Sequence, residues 1–327
     1  MQPHKLAPIR KRYIIYGAGA IGSAIGAMLA RGGNAVTLVG RHRHMKAIRE
    51  EGLRIDGLLG EYRVENLSAV EKIEDLDLID LPDYLLLCVK SFDTTEAARE
   101  ISSSGLVGKN TFVVSLQNGL GNVEVCRDIF GRDRVLGGRV IFGAEIPSPG
   151  SVHISVWADD VLLGGDDMEP AKDLAAELTR CGIQSSATED IQKALWGKVL
   201  YNVGLNSLSA LLEVPYGTLG RTGGARVILL GLMEEAFSVA QGEGSAQFQS
   251  FEEYLDLFFG KLLPATVAHN SSMLQDIRKG RATEIESING EVIKRGKAMG
   301  IDTPYNETVY NLVKAKVALH GSGTGND

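Results

Sequence analysis

The stretch Tyr13-Ile14-Ile15-Tyr16-Gly17-Ala18-Gly19-Ala20-Ile21-Gly22 decides how the first half of this chain is read. Apolar residues run straight into three glycines spaced G-x-G-x-x-G. An amphipathic helical pattern follows to about Arg31, with a second apolar run over 35–39 behind it. Strand, glycine turn, helix and second strand within about thirty residues make up the context of a dinucleotide-binding loop, which the glycine spacing alone does not. Gly17 permits the tight turn, Gly19 lets the backbone approach a pyrophosphate, and Gly22 lets helix and sheet pack closely. Ala20 and Ile21 open the helix, whose N-terminus offers N–H donors and positive potential to an anion. The alternative is a turn with a purely structural purpose.

The end of the second strand speaks to the choice of cofactor. A loop selective for NADH usually places an acid there to hold the ribose 2′-hydroxyl. This chain has Leu38-Val39-Gly40-Arg41 instead. Arg41, with Arg43 and the histidines His42 and His44 close by, is expected to pair with a 2′-phosphate, which favours NADPH. A solvated charge run is the other reading.

Outward from this unit, apolar β-branched runs alternate with helical stretches to about residue 184, the rhythm of an α/β, Rossmann-type doubly wound parallel sheet. Runs over 13–16, 35–39, 84–89 and 111–116 are its strands, and those over 135–142, 152–156 and 161–163 are expected to extend it. After Glu189-Asp190 the pattern turns helical, over 191–212, 225–242, 251–270 and 284–299. The expected organisation is a frayed leader over 1–12, a nucleotide-binding domain over 13–188, an all-helical domain over 189–320 and a loose tail over 321–327.

Composition narrows the function classes. A chain of 327 residues exceeds the size at which one core keeps growing, which agrees with two domains. No apolar run approaches the roughly 18 residues needed to cross a bilayer, so a cytoplasmic protein without membrane contact is expected. Cys88, Cys126 and Cys181 lie far apart with no C-x-x-C pair, which argues against a disulfide framework and a zinc site. A net charge of -7 without a basic stripe gives no electrostatic footprint for nucleic acid.

Within 194–212 the only charged side chain is Lys198, in a segment otherwise apolar enough to be buried. Asn202 and Asn206 follow at four-residue steps on nearly the same helical face. Desolvation would lower the lysine's pKa toward the range useful for donating a proton, and a nearby carboxylate would hold it charged; that pair of influences suits a general acid. The same stripe also fits the solvent edge of an amphipathic helix. Asn118, in Gln117-Asn118-Gly119-Leu120-Gly121 after a strand, and Lys90, after another, stand where doubly wound folds collect ligands. Asn-Gly is equally ordinary turn chemistry, and a lysine after a strand is equally often solvated.

At this point the chain resembles the ketopantoate reductase (2-dehydropantoate 2-reductase) family over most of its length. The resemblance rests on the glycine loop, Val89-Lys90-Ser91, the 117–121 segment and Leu195-Trp196-Gly197-Lys198 with Asn202 and Asn206. Its most specific block is 271–278 running into Thr283-Glu284-Ile285. It implies a Rossmann domain joined to a helical domain, with the active site in the cleft between them, and reduction of a small 2-oxo acid by NADPH on the route to pantothenate and coenzyme A. It further implies Lys198 as the general acid and Glu284 as its acidic partner. Asn118, Asn202, Asn206 and Ser272 would orient the substrate, with Asn118 also close to the nicotinamide.

Two departures bear on the substrate. His269 stands where well-known members carry asparagine, four residues before Met273, and Gly138-Arg139-Val140-Ile141-Phe142 replaces a threonine-rich stretch. The alternatives are a paralogue that reduces a different 2-oxo acid and an NADPH-sensing protein without turnover. The apolar helical segments are expected to serve either a core or a homodimer contact.

Overall fold

Apolar runs without polar alternation must be covered on both faces. In the computed structural model, which describes residues 11–76 and 81–322, they form the middle of a large sheet. The strands are β1 (Arg12–Tyr16), β2 (Ala35–Val39), β3 (Leu53–Gly57), β4 (Tyr62–Val64), β5 (Ser68–Val70), β6 (Tyr84–Leu87), β7 (Phe112–Ser115), β8 (Val135–Arg139), β9 (Phe142–Glu145), β10 (Ser151–Trp157), β11 (Val161–Gly164) and β12 (Ser185–Ala187). The large sheet is ordered β12-β11-β8-β7-β6-β1-β2-β5. Its pairs are parallel except β11 with β8. From β5 to β8 this is the doubly wound order in which the first strand lies at the switch point, where ligands collect.

Helices α1 (Ala20–Arg31), α2 (His42–Glu51), α3 (Thr94–Ser103), α4 (Asn122–Phe130) and α5 (Met168–Arg180) make the crossovers and flanks. α1 lies very close to the sheet, because a Cβ at Gly26 would come within 2.5 Å of Leu38 Cδ2. Ile15, Ile25, Leu29, Leu38 and Leu86 are wholly buried there, each worth about 1.5–3 kcal/mol. A bulkier residue at 26 would pry this layer apart.

One expectation about the sheet fails. The run 135–142 is not a single strand: β8 stays in the large sheet, whereas β9 joins β10, β3 and β4 in a separate four-stranded sheet. β10, expected to extend the large sheet, belongs to the second one. The Pro147–Gly150 turn lets β9 and β10 pair antiparallel, and Phe142 stacks on Trp157 with ring centroids 5.0 Å apart. An apolar run states that a strand is buried, not which neighbour buries it.

By their contacts the residues divide into two units. The first ends at Gln117 and resumes over Asn122–Ile191; the second holds Asn118–Gly121 and the chain from Gln192 onward. The second unit is built from α6 (Ile191–Leu212, its first residue in the first unit), α7 (Tyr216–Arg221), α8 (Gly223–Gly242), α9 (Phe251–Leu257), α10 (Ser272–Arg278), α11 (Glu291–Met299) and α12 (Pro304–Ser322). The segment expected as one helix over 251–270 is broken: a π turn, Phe258–Leu262, and a short 3-10 turn starting at Pro264 follow α9. Proline has no N–H to continue the ladder. The helix expected from 284 opens as a π turn, Glu286–Gly290, before α11. The leader expected over 1–12 lies outside the described residues up to residue 10, and Arg12 already belongs to β1; the expected tail lies outside them from residue 323.

Candidate active site

Each glycine of the loop can be tested for what requires it. Gly17 has φ +94°, and a Cβ there would lie 2.5 Å from the Val89 nitrogen; at Gly22 it would lie 2.7 Å from the Gly17 carbonyl. Packing within the protein demands both. Gly19 differs: its φ is -80°, and a Cβ would meet nothing nearer than 4.0 Å. No protein atom requires glycine there, but a molecule laid across the loop would. Gly17 N–H and Ala18 N–H both donate to the Val39 carbonyl, at 3.0 and 2.9 Å, fixing the loop to the end of β2. Ala20, Ile21 and Gly22 begin α1, where N–H groups have no carbonyl one turn back. The loop fits a dinucleotide pyrophosphate.

Arg41 is exposed directly after β2, at the N-cap of α2, and Arg43 is exposed beside it. The histidines of this cluster are engaged elsewhere. His42 pairs with Glu71 at 2.8 Å. His44 is buried: its Nδ1 accepts from Gly150 N–H at 2.9 Å, so the ring proton sits on Nε2, 3.0 Å from Ser23 Oγ, which in turn donates to the Ala18 carbonyl at 3.3 Å. Burial holds the pKa of His44 below the usual histidine value. His44 thus braces the glycine loop from behind and does not face a phosphate, a role the basic run concealed. Its helical neighbours Met45 and Ile48, also buried, were the available signal. Lys90, half-buried, precedes the short turn Ser91–Asp93 after β6.

In the second unit, Lys198, Asn118 and Glu284 come together. Lys198 Nζ donates to Asn118 Oδ1, and Asn118 Nδ2 donates to Glu284 Oε2 at 3.2 Å. Glu284 is 6% exposed, so the carboxylate is held in a largely dry setting. Asn202 and Asn206 are buried, which removes the solvent-edge reading of their stripe. Asn206 Oδ1 accepts from Met273 N–H at 3.3 Å and so ties α6 to the start of α10. Ser272 is the first residue of that helix and half-buried; the capping role falls to Ser271, whose hydroxyl accepts from Leu274 N–H at 3.0 Å. A serine ahead of an apolar run was the signal for it. His269 precedes Ser271 and Ser272 on the same segment; its ring meets Tyr216 edge-on at 5.2 Å, and burial lowers its pKa.

An ammonium bridged by an amide to a carboxylate, in a chain whose other unit holds a glycine loop of the dinucleotide-binding kind, is an arrangement suited to reducing a carbonyl. Two family models cover nearly all of the chain. Ketopantoate reductase PanE/ApbA matches residues 13–164, and its C-terminal counterpart matches 190–317. This chain belongs to the ketopantoate reductase family. A 2-dehydropantoate 2-reductase of Aquifex aeolicus is 37% identical over 93% of this chain and 96% of its own length. Among solved structures, a PanE/ApbA family ketopantoate reductase from Ralstonia eutropha is 30% identical, with TM-score 0.84 over 94% of this chain and 99% of that one. A ternary complex of D-mandelate dehydrogenase with NADH and anilino(oxo)acetate is also 30% identical, with TM-score 0.86 and the same coverage. The residues that depart from the family's threonine-rich stretch are spent on packing: Val140 and Phe142 are buried, and Arg139 pairs with Asp159 at 2.6 Å.

Proposed function

We propose that this protein reduces 2-dehydropantoate to pantoate with NADPH, with Lys198 as the proton donor. The observation that carries the reading is the chain of hydrogen bonds from Lys198 through Asn118 to Glu284. NADPH, when bound, supplies the hydride. Lys198 Nζ gives its proton to the carbonyl oxygen of the 2-oxo acid as that oxygen gains negative charge, and its own positive charge stabilises the developing alkoxide. Glu284, acting through Asn118, favours the charged lysine and holds its Nζ in one direction. Asn202, Asn206 and Ser272 supply neutral donors and acceptors for the substrate's hydroxyl and carboxylate. Gly17, Gly19, Ala20, Ile21 and Gly22 hold the pyrophosphate, Arg41 the 2′-phosphate, and Lys90 and Asn118 meet the rest of the cofactor. The same reading makes the protein a cytoplasmic homodimer acting on a small molecule, with no nucleic acid involved.

A second reading, a reductase of a bulkier 2-oxo acid, is favoured by the likeness to D-mandelate dehydrogenase together with His269 on the segment leading into Ser272. The discriminating experiment is NADPH oxidation across a panel of 2-oxo acids, from 2-dehydropantoate to aryl-substituted ones. The first reading requires the highest kcat/KM with 2-dehydropantoate; an aryl 2-oxo acid in first place moves the assignment to the second.

A further inference from the structure

The short π turn Glu286–Gly290, two residues after Glu284, touches every segment that carries the proposed proton-donating trio. Gly290 N–H reaches back five residues to the Ile285 carbonyl at 2.9 Å, the widened spacing of a π turn, a geometry that clusters at functional sites. Towards Asn118, the Ser287 carbonyl accepts from Leu120 N–H at 2.8 Å. Gly119, with φ +85°, passes so close to that carbonyl that any Cβ would collide with it. Ser287 Oγ also donates to the Glu284 carbonyl at 3.1 Å. The loop bearing Asn118 and the residue bearing the carboxylate are thus seated on one turn.

Towards Lys198, Asn289 makes the connection. It is wholly buried, and its Nδ2 donates to the Val203 carbonyl of α6 at 3.1 Å and to Asn306 Oδ1 at 3.0 Å. Asn306, also wholly buried, donates to the Leu232 carbonyl at 3.1 Å and to Glu235 at 2.8 Å, so the network is anchored on α8 and α12. The oxygen of Asn289 is buried without a hydrogen-bond partner. The two bonds that the amide donates offset the cost of its orphaned oxygen, and an apolar side chain of like size would leave Asn306 Oδ1 without that donor. What the amide adds is direction: it ties the turn to one carbonyl of α6, five residues beyond Lys198.

We propose that Asn289 is a positioning residue for proton donation, setting the helix that carries Lys198 against the segment that carries Glu284 and seats Asn118. This rests on the reading of Lys198 as the proton donor. Its test uses the full-length protein as Asn289→Leu, which keeps the bulk, and as Asn289→Ser, which leaves room for water should the leucine variant not fold. Since displacement by about 1 Å can cost on the order of 100-fold, kcat should fall 10- to 100-fold, with a much smaller change in the KM for NADPH, most of whose proposed contacts lie on the glycine loop. The alkaline limb of the kcat profile should move to lower pH, because a lysine less well supported by its carboxylate loses its proton sooner. The ε-methylene NMR signal of Lys198, which needs no substrate, should also move.

A folded variant with unchanged kcat, pH profile and Lys198 signal overturns the proposal, whatever its melting temperature. Should the wild-type protein turn over no 2-oxo acid, the functional reading fails by itself, and the Lys198 signal alone then decides whether Asn289 positions it.

Discussion

The glycine loop and the Lys198 trio place opposite demands on the sequence. In the loop, Gly17 and Gly22 are required by backbone atoms of the protein itself, as the positive φ and the collisions of any added Cβ attest. In the trio, the proposed chemistry, not the fold, accounts for a lysine, an asparagine and a glutamate in one half-dry place. On the proposed function, the loop is a piece of architecture that also binds, whereas the trio is a piece of chemistry that the architecture tolerates. Substitutions should therefore separate: in the trio activity falls while stability holds, and in the loop the two fall together, except where the protein leaves the choice open.

The largest effect is expected at Lys198. Replacement by alanine removes the proton donor, so kcat for NADPH-dependent reduction should drop by about 10²–10⁴-fold, the usual contribution of a general acid. The melting temperature should stay level or rise, because Lys198 lies among mostly buried helix neighbours. A variant that keeps wild-type kcat ends the catalytic reading, and one that loses its fold erases the contrast with the loop.

Next come the two glycines that look alike in the motif and differ in the structure. Gly17→Ala should cost about 2 kcal/mol or more in urea unfolding, from backbone strain and the contact with the Val89 nitrogen. Gly19→Ala meets nothing within the protein, so its unfolding curve should overlay that of the wild type while NADPH binding, measured by titration calorimetry, weakens roughly tenfold, or about 1.4 kcal/mol. Equal stability losses in the two would collapse the distinction between architecture and binding.

How much of this could be read in advance follows from the same contrast. The loop, β2 and α6 were legible because their signals are local: a turn, an apolar run, a helical period. The stripe Lys198, Asn202, Asn206 is likewise written on one helix. Asn118 and Glu284 are not: the bonds that join them to the lysine and to each other span 80 and 166 residues of sequence, and only the family resemblance linked them. β4, β5 and β12 have three residues each, too few to show a period. The second sheet escaped because apolar runs do not name their partners, and Asn289 escaped because a buried amide inside a helical pattern looks like any other polar residue.

Arg41 tests the loop's outer edge with a smaller change. Its alanine variant should bind NADPH about tenfold more weakly, as expected for losing one charge-assisted contact, and NADH no differently. Equal losses for both cofactors would assign the 2′-phosphate to other groups and leave Arg41 as a solvated charge.

The smallest effect lies behind the loop. Burial depresses the pKa of His44, and Nδ1 can accept from Gly150 N–H only while it carries no proton. The unfolded chain takes up that proton near pH 6.5, but the folded one does so only at lower pH. His44 therefore contributes stability that is fully present above about pH 6.5 and is lost as pH falls toward its folded pKa. His269, depressed by burial in the helical unit, adds a slope of the same sign. The two can be told apart because only His44 reaches the glycine loop, through Ser23 to the Ala18 carbonyl. In His44→Gln, denaturant midpoints between pH 5 and 6.5 should vary less steeply with pH than in the wild type, and the loss of NADPH affinity toward acid pH should flatten with them. In His269→Asn the stability slope should flatten while the affinity profile stays unchanged. If both variants altered the affinity profile alike, the brace behind the loop would not be what links acid pH to cofactor binding, and the division between the two regions would be less sharp than their geometry indicates.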